Sequence, residues 1–187
     1  HRPHDGRKHF VTAAKKAGID DFVINVHHFA DKIIDYVHDT PELAALDIKF
    51  SDERELLRDT GGGIRFARPL LDGQNFLVHN VDIVSDLDIR EFETCARPDA
   101  VSTLLVSQRK TQRYFLFNDD MRLVGWTNIA TGDVKTPFRG LDVSRCHKLA
   151  FAGIHLLSRE IFNVMDAIDE APEKYPLYDA SGNVIEG

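Results

Sequence analysis

Cysteine is scarce in this sequence, which contains only Cys95 and Cys146. The two residues are far apart and form no Cys-x-x-Cys pair, so the sequence has neither a disulfide framework nor a cysteine-based zinc motif. Isolated cysteines of this kind are typical of reduced thiols. We therefore expect a cytoplasmic protein without a structural disulfide.

Long hydrophobic runs and clustered positive charge are also missing. No apolar run approaches the roughly 18 residues of a transmembrane helix, and no signal peptide is visible, so we expect no membrane partner. The formal net charge is −7 and the isoelectric point is about 5.7. Nucleic acid is not an expected partner, because phosphate neutralisation needs clustered Lys and Arg. Binding a single nucleotide is compatible with this composition, since it needs only a few local donors and a metal ion.

Several common functional motifs are absent. The sequence contains no Gly-x-Gly-x-x-Gly, no Gly-Lys-Ser/Thr of a Walker A loop, and no His-x-x-x-His or His-Glu-x-x-His spacing. His27 and His28 are adjacent at the end of a predicted strand. Successive strand side chains point to opposite faces, so we do not expect these two to share one metal ion.

The order of apolar segments predicts an α/β fold. Strands are predicted near residues 22, 47, 76 and 101, separated mostly by helical patterns, as in a parallel sheet. After Thr111, strands follow one another with turn residues between them. We therefore predict a Rossmann-like, doubly wound, mostly parallel sheet with helices on both faces and a β-rich C-terminal addition. Residues 1–187 are interpreted as one domain.

Helical periodicity predicts the helices between these strands. Gly18 fits the residue after the first helix, Phe29 is placed on the apolar face of the second, and Asp88 is a predicted N-cap. The predicted helices cover residues 7–17, 29–37, 64–71, 89–97 and 159–168.

The segment from Phe76 to Asp82 combines a buried strand with polar residues at its end. In an open α/β sheet, ligands bind at the carboxyl ends of the strands. A carboxylate at that point, Asp82, is suited to holding a divalent metal against phosphates. Taken alone, a turn aspartate that caps its own backbone is the stronger interpretation.

A second segment contains three adjacent glycines, Gly61, Gly62 and Gly63, entering a helix. Such glycines allow close approach of a flat or anionic ligand and leave N–H groups at a helix start. A flexible turn is the alternative. We favour a functional reason, because three glycines cost conformational entropy when they become ordered.

Four further features, one pair and three single residues, carry weaker signals. Asp86 and Asp88 form an Asp-x-Asp pair of the kind that holds metal in sugar transferases, although Asp88 as a helix cap is the stronger interpretation. Trp126 is the only tryptophan, and core packing outweighs sugar stacking for it. Gly153 interrupts a strand, which indicates either close approach of a ligand or a bulge. Asp179 has the pattern of a tail residue.

Taken in order, these segments resemble the sugar-1-phosphate nucleotidyltransferases. The most similar subgroup contains N-acetylmuramate-1-phosphate uridylyltransferases and mannose- and heptose-1-phosphate guanylyltransferases. The resemblance extends from about residue 13 to 165 and is specific for the family, while the substrate stays open. The matching stretches are residues 17–19, 23–28, 51–53, 57–64, 76–82 and 151–155.

The resemblance implies transfer of a nucleotidyl group from UTP or GTP to a sugar 1-phosphate, with release of pyrophosphate and with Mg²⁺ as cofactor. The implied catalytic and metal-binding residues are Asp82 and Asp179, the latter from the stretch 174–179. The implied nucleotide-binding residues are Asp59, Thr60, Gly61, Gly62, Gly63 and Asn80. The implied sugar-binding residues are Trp126, Asn128 and Gly153.

One departure from the family concerns the beginning of the chain. The family begins with a strand and a Gly-x-Gly-Thr-Arg-like loop, and neither occurs after His1. We expect such a segment before His1, because an empty central strand position exposes apolar edges. Two other functions stay open: a nucleotide-sugar-dependent glycosyltransferase that uses Asp86 and Asp88, and a catalytically silent nucleotide-binding domain.

Overall fold

The computed structural model describes residues 4–56, 58–71, 73–80 and 86–186. The chain divides into two compact units. Unit 1 comprises His1–Thr103 and Leu156–Phe162, and unit 2 comprises Leu104–His155 and Asn163–Gly187. The boundaries fall inside two strands and a helix rather than in a linker. The interpretation of residues 1–187 as one domain therefore stays a prediction.

Unit 1 begins with alternating helices and strands. In chain order these are α1 His4–Lys16, β1 Asp21–Val26, α2 Ala30–Asp39, α3 Pro41–Ala44 and β2 Asp47–Asp52. β1 and β2 pair in parallel, with Asp21 opposite Asp47 and Val26 opposite Asp52. Parallel pairing of consecutive strands across a helical crossover is what the alternating pattern predicted.

The rest of unit 1 contains shorter elements. They are α4 Thr60–Ala67, β3 Phe76–His79, α5 Ile89–Thr94 and the first residues of β4 Ser102–Ser107, and a 3₁₀ turn, Arg68–Leu70, follows α4. Asp88 is the N-cap of α5, and its Oδ1 accepts the Glu91 N–H at 3.1 Å. The predicted cap is confirmed, whereas α5 ends earlier than the predicted residue 97.

The end of α1 shows why a glycine follows it. The Ile19 N–H donates to the Ala14 carbonyl and the Gly18 N–H to the Lys15 carbonyl, both at 3.0 Å, which is a Schellman motif. The motif requires a left-handed residue, and Gly18 has φ 88°. The predicted C-terminal glycine is confirmed.

The core of unit 1 joins the helices to β1. α1 and α2 contribute one apolar face each, and Phe22 of β1 lies among them. The buried cluster consists of Val11, Ala14, Phe22, Val37, Leu43 and Ile89. A second buried cluster of Val26, Ala30 and Ile33 lies at the other end of β1. Val11, Ala14, Ile33 and Val37 lie in predicted amphipathic helices, and they are buried because the apolar face of such a helix is the face that packs against the core.

Phe29 is an exception to that rule. It was predicted on the apolar face of the second helix, but it is the N-cap of α2 in the left-handed region, with φ 56°, and its side chain is 72% exposed. The Lys32 Nζ lies 4.9 Å from the centroid of its ring. The prediction was wrong because the chain turns at Phe29 before the helix begins.

Unit 2 is built on antiparallel strands. They are β5 Arg113–Phe117, β6 Leu123–Asn128, β7 Asp133–Lys135 and β8 His147–Leu157, and α6 Ile161–Glu170 follows. β5 pairs with β6 and with β8, and β6 pairs with β7. β3 and β4 also pair with β8, whose last two residues belong to unit 1. β7 was not predicted, because it has only three residues and a single buried one, Val134.

The strand register gives this sheet two different faces. Leu116, Thr127, Thr136 and Ala150 lie on one face and are almost completely buried. The other face carries Phe115 opposite both Trp126 and Leu149, and all three side chains are half-buried. This second face leaves part of its aromatic surface accessible.

Two connections complete unit 2. A turn at residues 118–121 joins β5 to β6, and the Asn118 N–H donates to the Arg122 carbonyl at 3.0 Å. The C-terminal segment is attached to the residue after β7 by two backbone hydrogen bonds between Thr136 and Tyr178, of 3.1 and 2.7 Å. The chain near its end is therefore hydrogen-bonded to the sheet.

Two expectations from composition also concern the fold. Among the helices of the described ranges, none is long and apolar enough to cross a membrane. Cys95 and Cys146 are both free thiols, as predicted. Burial raises the pKa of Cys146, which disfavours its reactive thiolate form.

We predict that stability falls below neutral pH because of His79 and His155. Burial lowers the pKa of both imidazoles, and His79 stacks on Phe10 with ring centroids 4.0 Å apart. The unfolded chain takes up protons near pH 6.5, the ordinary histidine pKa, while the folded protein does not. Stability is therefore complete above about pH 6.5 and is lost as the pH falls through the lowered pKa values.

Urea unfolding at about pH 7.5 and pH 5.5 measures this loss. His79→Phe keeps the aromatic stack and removes one titrating group, so its stability should depend less on pH than that of the wild type. His147→Gln, at an exposed position, is the control. An unchanged pH dependence in both His79→Phe and His155→Leu would contradict the prediction.

Candidate functional site

Polar residues gather where β1 and β2 end. Glu53 directly follows β2, is only 3% exposed, and extends the parallel pairing through its N–H, which donates to the Val26 carbonyl at 2.8 Å. The Asn25 side-chain amide donates to Glu53 Oε1 at 2.7 Å. The His27 Nδ1 lies 2.8 Å from the Glu53 carbonyl. One buried residue thus connects both strand ends.

Sequence reasoning did not identify Glu53 as a site residue. It appeared only in the stretch 51–53 that supported the family resemblance. The signal available was a charged residue directly after a strand, the position at which α/β sheets carry functional groups.

The two adjacent histidines differ from expectation. Because a carbonyl oxygen only accepts, His27 donates through Nδ1, and the neutral ring therefore keeps its lone pair on Nε2. The rings of His27 and His28 lie 4.4 Å apart. The prediction of opposite faces was wrong, because β1 ends at Val26 and strand alternation no longer applies beyond it.

The three glycines form the first turn of α4. The helix begins at Thr60 and not at residue 64 as predicted, because Asp59 is its N-cap. The Asp59 Oδ1 accepts the Gly62 N–H and the Asp59 carbonyl accepts the Gly63 N–H, both at 2.8 Å. Residues 59–63, five of the six predicted nucleotide-binding residues, are therefore brought together at one helix start.

The surroundings of each glycine reveal different reasons for its identity. A Cβ atom at Gly63 would lie 3.1 Å from Asn25 Nδ2 and from Glu53 Oε1, so the helix approaches this pair more closely than a side chain allows. A Cβ atom at Gly62 would lie 3.1 Å from the Cβ of Arg58. At Gly61 the nearest atom would be 3.7 Å away, an ordinary contact.

The helix start leaves donors for a ligand. The first N–H groups of a helix have no partner within it, and Asp59 takes the one from Gly62. The N–H groups of Thr60 and Gly61 stay directed away from the helix at exposed positions. Such groups suit a carbonyl or an anionic oxygen of a ligand.

The polar residues after β3 are described in part. Asn80 directly follows β3 and is exposed. Asp82 lies outside the described residues, so its proposed metal-binding role stays a prediction. Asp86 is exposed, while Asp88 is engaged in capping α5, as the stronger interpretation had it.

The predicted sugar-binding residues lie in unit 2. Trp126 and Asn128 share one face of β6, and Lys135 Nζ lies 5.8 Å from the Trp126 ring centroid. The Asn128 Oδ1 accepts the Ala130 N–H at 3.0 Å, so this oxygen stabilises the turn that follows β6. Gly153 is buried in β8 and has φ 79°, a conformation that favours glycine.

Asp179 lies in a turn near the C-terminus. Its Oδ1 accepts the N–H groups of Ser181 and Asn183, both at 2.9 Å. The Asn183 backbone hydrogen bond is the largest cause that lowers the pKa of this carboxyl, which is therefore ionised at neutral pH. This position in a turn near the C-terminus agrees with the interpretation of Asp179 as a tail residue. Metal binding by Asp179 stays a prediction.

Within the described part of the chain, no group of three or more His, Cys, Asp or Glu side chains is arranged to hold a metal ion. Since Asp82 is not among these residues, the magnesium site implied by the family resemblance is neither supported nor contradicted.

Two curated proteins are related to this chain in sequence. An N-acetylmuramate alpha-1-phosphate uridylyltransferase of Caulobacter vibrioides is 30% identical over 158 residues, which is 82% of this chain and 62% of that protein. The enzyme of the same name from Neisseria meningitidis serogroup B is 37% identical over 93 residues, 49% of this chain and 40% of that protein. The chain thus spans less than two thirds of the length of each. No family model matches the chain.

Solved structures share the fold. A putative glucose-1-phosphate thymidylyltransferase from Bacillus anthracis has a TM-score of 0.64 at 11% identity, covering 89% of this chain and 64% of that one. A UDP-glucose pyrophosphorylase complexed with UDP-glucose has a TM-score of 0.62 at 12% identity, covering 95% and 81%. The predicted α/β, Rossmann-like fold class and the resemblance to sugar-1-phosphate nucleotidyltransferases are confirmed.

We predict opposite effects on stability for Gly63→Ala and Gly61→Ala. Alanine at Gly63 pushes against the Asn25–Glu53 pair and should destabilise the protein by about 1–3 kcal/mol, as overpacking does. Alanine at Gly61 has space and reduces the entropy of the unfolded chain, so it should stabilise by roughly 0.4–1 kcal/mol. Urea unfolding of the two variants beside the wild type tests this, and equal effects would contradict the account of the helix start.

We predict that Asp179→Asn preserves the turn, so that the structural role of Asp179 can be distinguished from a metal-binding role. Asparagine keeps an oxygen for the N–H groups of Ser181 and Asn183, so the unfolding temperature near neutral pH should stay higher than that of Asp179→Ala. The lowered pKa of Asp179 also means that its stabilisation is present above about pH 3.9 and is lost as the pH falls below that value. Thermal unfolding at several pH values checks both statements, and identical unfolding temperatures for the two variants would refute the turn role.

Proposed function

We propose that the protein transfers a uridylyl group from UTP to N-acetylmuramate 1-phosphate, forming the nucleotide-sugar and pyrophosphate. The observation that carries this proposal is the similarity over 158 residues to an N-acetylmuramate alpha-1-phosphate uridylyltransferase. The reaction class, a nucleoside triphosphate with a sugar 1-phosphate, is common to the relatives and to the proteins that share the fold.

The first turn of α4 is proposed to hold the nucleotide. The N–H groups of Thr60 and Gly61 are the donors, and the absence of a side chain at Gly61 lets a flat base or ribose lie against the backbone. Glu53 is proposed to act indirectly. Its hydrogen bond to Asn25 holds this pair of side chains against Gly63, which fixes the position of the helix. Asn80, which directly follows β3 and is exposed, is a further residue proposed to bind the nucleotide.

The sugar 1-phosphate is proposed to bind on the half-buried face of the unit 2 sheet. Trp126 offers an aromatic surface for a sugar ring, and Asn128 keeps its amide N–H groups for hydroxyl oxygens. Gly153 is the third proposed sugar-binding residue. It has no side chain, so a sugar could approach the backbone of β8 at this position.

Asp82 and Asp179 are the proposed ligands of Mg²⁺. The donor chemistry fits, because Mg²⁺ prefers carboxylate oxygens and Asp179 is half-buried and ionised. When bound, the ion would neutralise negative charge on the phosphates.

The chemical step is an in-line attack of the sugar phosphate oxygen on the α-phosphorus of UTP, with pyrophosphate as the leaving group. The protein contributes chiefly by holding both substrates in line, as in phosphoryl transfer generally.

A cytoplasmic location is part of the same proposal. The free thiols of Cys95 and Cys146 support it, because reducing compartments keep thiols unpaired. The glycosyltransferase alternative has less support, since it needs Asp88 as a metal ligand and the Asp88 carboxylate caps α5.

Pyrophosphate release from a substrate panel tests the proposed activity. The full encoded polypeptide is assayed with UTP, GTP and dTTP, each combined with N-acetylmuramate 1-phosphate, N-acetylglucosamine 1-phosphate, glucose 1-phosphate and mannose 1-phosphate. The expected result is fastest release with UTP and N-acetylmuramate 1-phosphate. Nucleotide binding without pyrophosphate release from any pair would instead identify a silent nucleotide-binding domain.

We predict that Asp82→Ala lowers turnover by on the order of 10²-fold or more while the protein stays folded. The reason is the loss of one preorganised electrostatic group at the reacting phosphates. Asp86→Ala, which removes an exposed carboxylate a few residues away, is the matched control and should retain activity. Steady-state kinetics at saturating Mg²⁺ measure the effect. Unchanged turnover in Asp82→Ala would eliminate Asp82 as the metal ligand.

A further inference from the structure

Asn25 presents an exposed amide beside the first turn of α4. Alternation along β1 places this side chain on the face opposite to Phe22 and Val26, which belong to the two buried clusters. A Cβ atom at Gly63 would lie 3.1 Å from the Asn25 Nδ2, so α4 lies against this face. Asn25 is exposed although Glu53, its hydrogen-bond partner, is buried. A ligand at the start of α4 therefore has access to the Asn25 amide.

Glu53 determines which end of this amide is available. The Asn25 Nδ2 donates to the Glu53 Oε1 at 2.7 Å, and the Arg58 N–H donates to the Glu53 Oε2 at 3.4 Å. A carboxylate only accepts hydrogen bonds, so turning the amide over would set the Asn25 oxygen against the Glu53 oxygen. The amide is thereby held in one orientation. Its Oδ1 accepts no hydrogen bond from the described residues, so its lone pairs are available to a ligand.

A second polar group on this face of β1 and β2 is left without a partner. Ser51 lies opposite Asn25 in the strand register and is only 2% exposed. Its Oγ has no hydrogen-bond partner within the described ranges. A buried hydroxyl without a partner is costly. This face therefore has hydrogen-bonding capacity that the described chain does not use and that a bound molecule can use.

The free groups around Asn25 form a defined hydrogen-bonding pattern. The Asn25 oxygen is an acceptor, and the N–H groups of Thr60 and Gly61 at the start of α4 are donors. Gly63, which adjoins the Asn25 amide, lies only about 4.5 Å from Thr60 along the helix axis. A ligand edge that carries an N–H group next to a carbonyl oxygen complements this pattern.

We propose that Asn25 recognises the nucleobase by accepting a hydrogen bond from a ring N–H group. In uracil this group is the N3–H, and the neighbouring carbonyl oxygen accepts from the start of α4. Cytosine and adenine instead have a ring nitrogen lone pair on that edge, which would face the lone pairs of the Asn25 oxygen. An unsatisfied pair of acceptors of this kind disfavours binding.

The inference rests on the nucleotide site proposed above, and it makes Asn25 a specificity-determining residue. Thymine and guanine present the same N–H and carbonyl edge as uracil. Asn25 therefore excludes cytosine and adenine, while the size of the base is selected by other parts of the site.

Nucleotide affinity of the full encoded polypeptide tests the inference. Isothermal titration calorimetry without the sugar phosphate, so that no turnover occurs, gives Kd values for UTP, CTP and 3-methyl-UTP, in which a methyl group replaces the N3 hydrogen. We expect UTP to bind about tenfold more tightly than either of the other two, because each of them loses the hydrogen bond to Asn25. These ligands test the unchanged protein, so the result does not depend on the folding of a variant.

Two variants distinguish recognition of the base from support of α4. Asn25→Ala removes the acceptor, so UTP should bind about tenfold more weakly and no more tightly than CTP. Glu53→Gln keeps an oxygen for the Asn25 amide but adds a donor, so the amide can turn over. Its preference for UTP over CTP should therefore fall, although UTP still binds. Asn163→Ala, at an exposed position of α6, is the control and should keep the preference.

Equal affinity of the unchanged protein for UTP and CTP would overturn the inference, as would a full preference for UTP in folded Asn25→Ala. Failure of the proposed function has a different signature. Pyrophosphate release from UTP, with a base preference that does not depend on Asn25, refutes only the role of Asn25. A base preference that depends on Asn25, without pyrophosphate release, refutes only the reaction. If none of the triphosphates binds, both proposals fail.

Discussion

The position of Glu53 constrains the arrangement on which the proposed nucleotide site depends. Its side chain is 3% exposed, and a carboxylate removed from water is costly unless hydrogen bonds replace the lost solvent. Asn25 supplies such a bond through its amide, and the Glu53 backbone continues the pairing of β1 with β2. Separating the two strand ends would break the hydrogen bond between Asn25 and Glu53, which holds these ends together.

The position of the Asn25–Glu53 pair explains only part of the run of three glycines in α4. Gly63 sits so close to the Asn25–Glu53 pair that the packing of the helix already requires glycine there. Gly62 is restricted by Arg58 in a similar way. Gly61 has room for a methyl group, and the folded chain alone gives no reason for a glycine. The proposal that a nucleotide lies against the backbone supplies such a reason at Gly61.

The buried elements of the fold could be predicted from the sequence, and the turns between them could not. β1 and β3 follow from apolar runs, which strands covered on both faces need, and β2 follows from alternation of apolar and polar residues. The start of α4 was misplaced, because glycine has low helix propensity and the cap and packing of the helix outweigh it. Phe29 was misplaced because a left-handed residue before a helix leaves no trace in the apolar periodicity.

The site divides along a similar line. Residues 59–63 were predicted together because they are neighbours in the sequence and share one helix turn. Glu53 was not, because its role depends on a group that is distant in the chain: Asn25 is 28 residues from Glu53. Such meetings follow from strand register, which a single sequence does not specify.

The net charge of −7 sets a last requirement for any phosphorylated substrate. The overall field of an acidic protein opposes the approach of a triphosphate or a sugar phosphate, so binding has to come from donors that act at short range. The backbone N–H groups of Thr60 and Gly61 are the proposed donors of this kind. They favour ligands that present single oxygens in defined positions over ligands that are merely highly charged. For the proposed function, an acidic surface with few, fixed donors therefore favours selectivity for the shape of the substrate and the position of its charges.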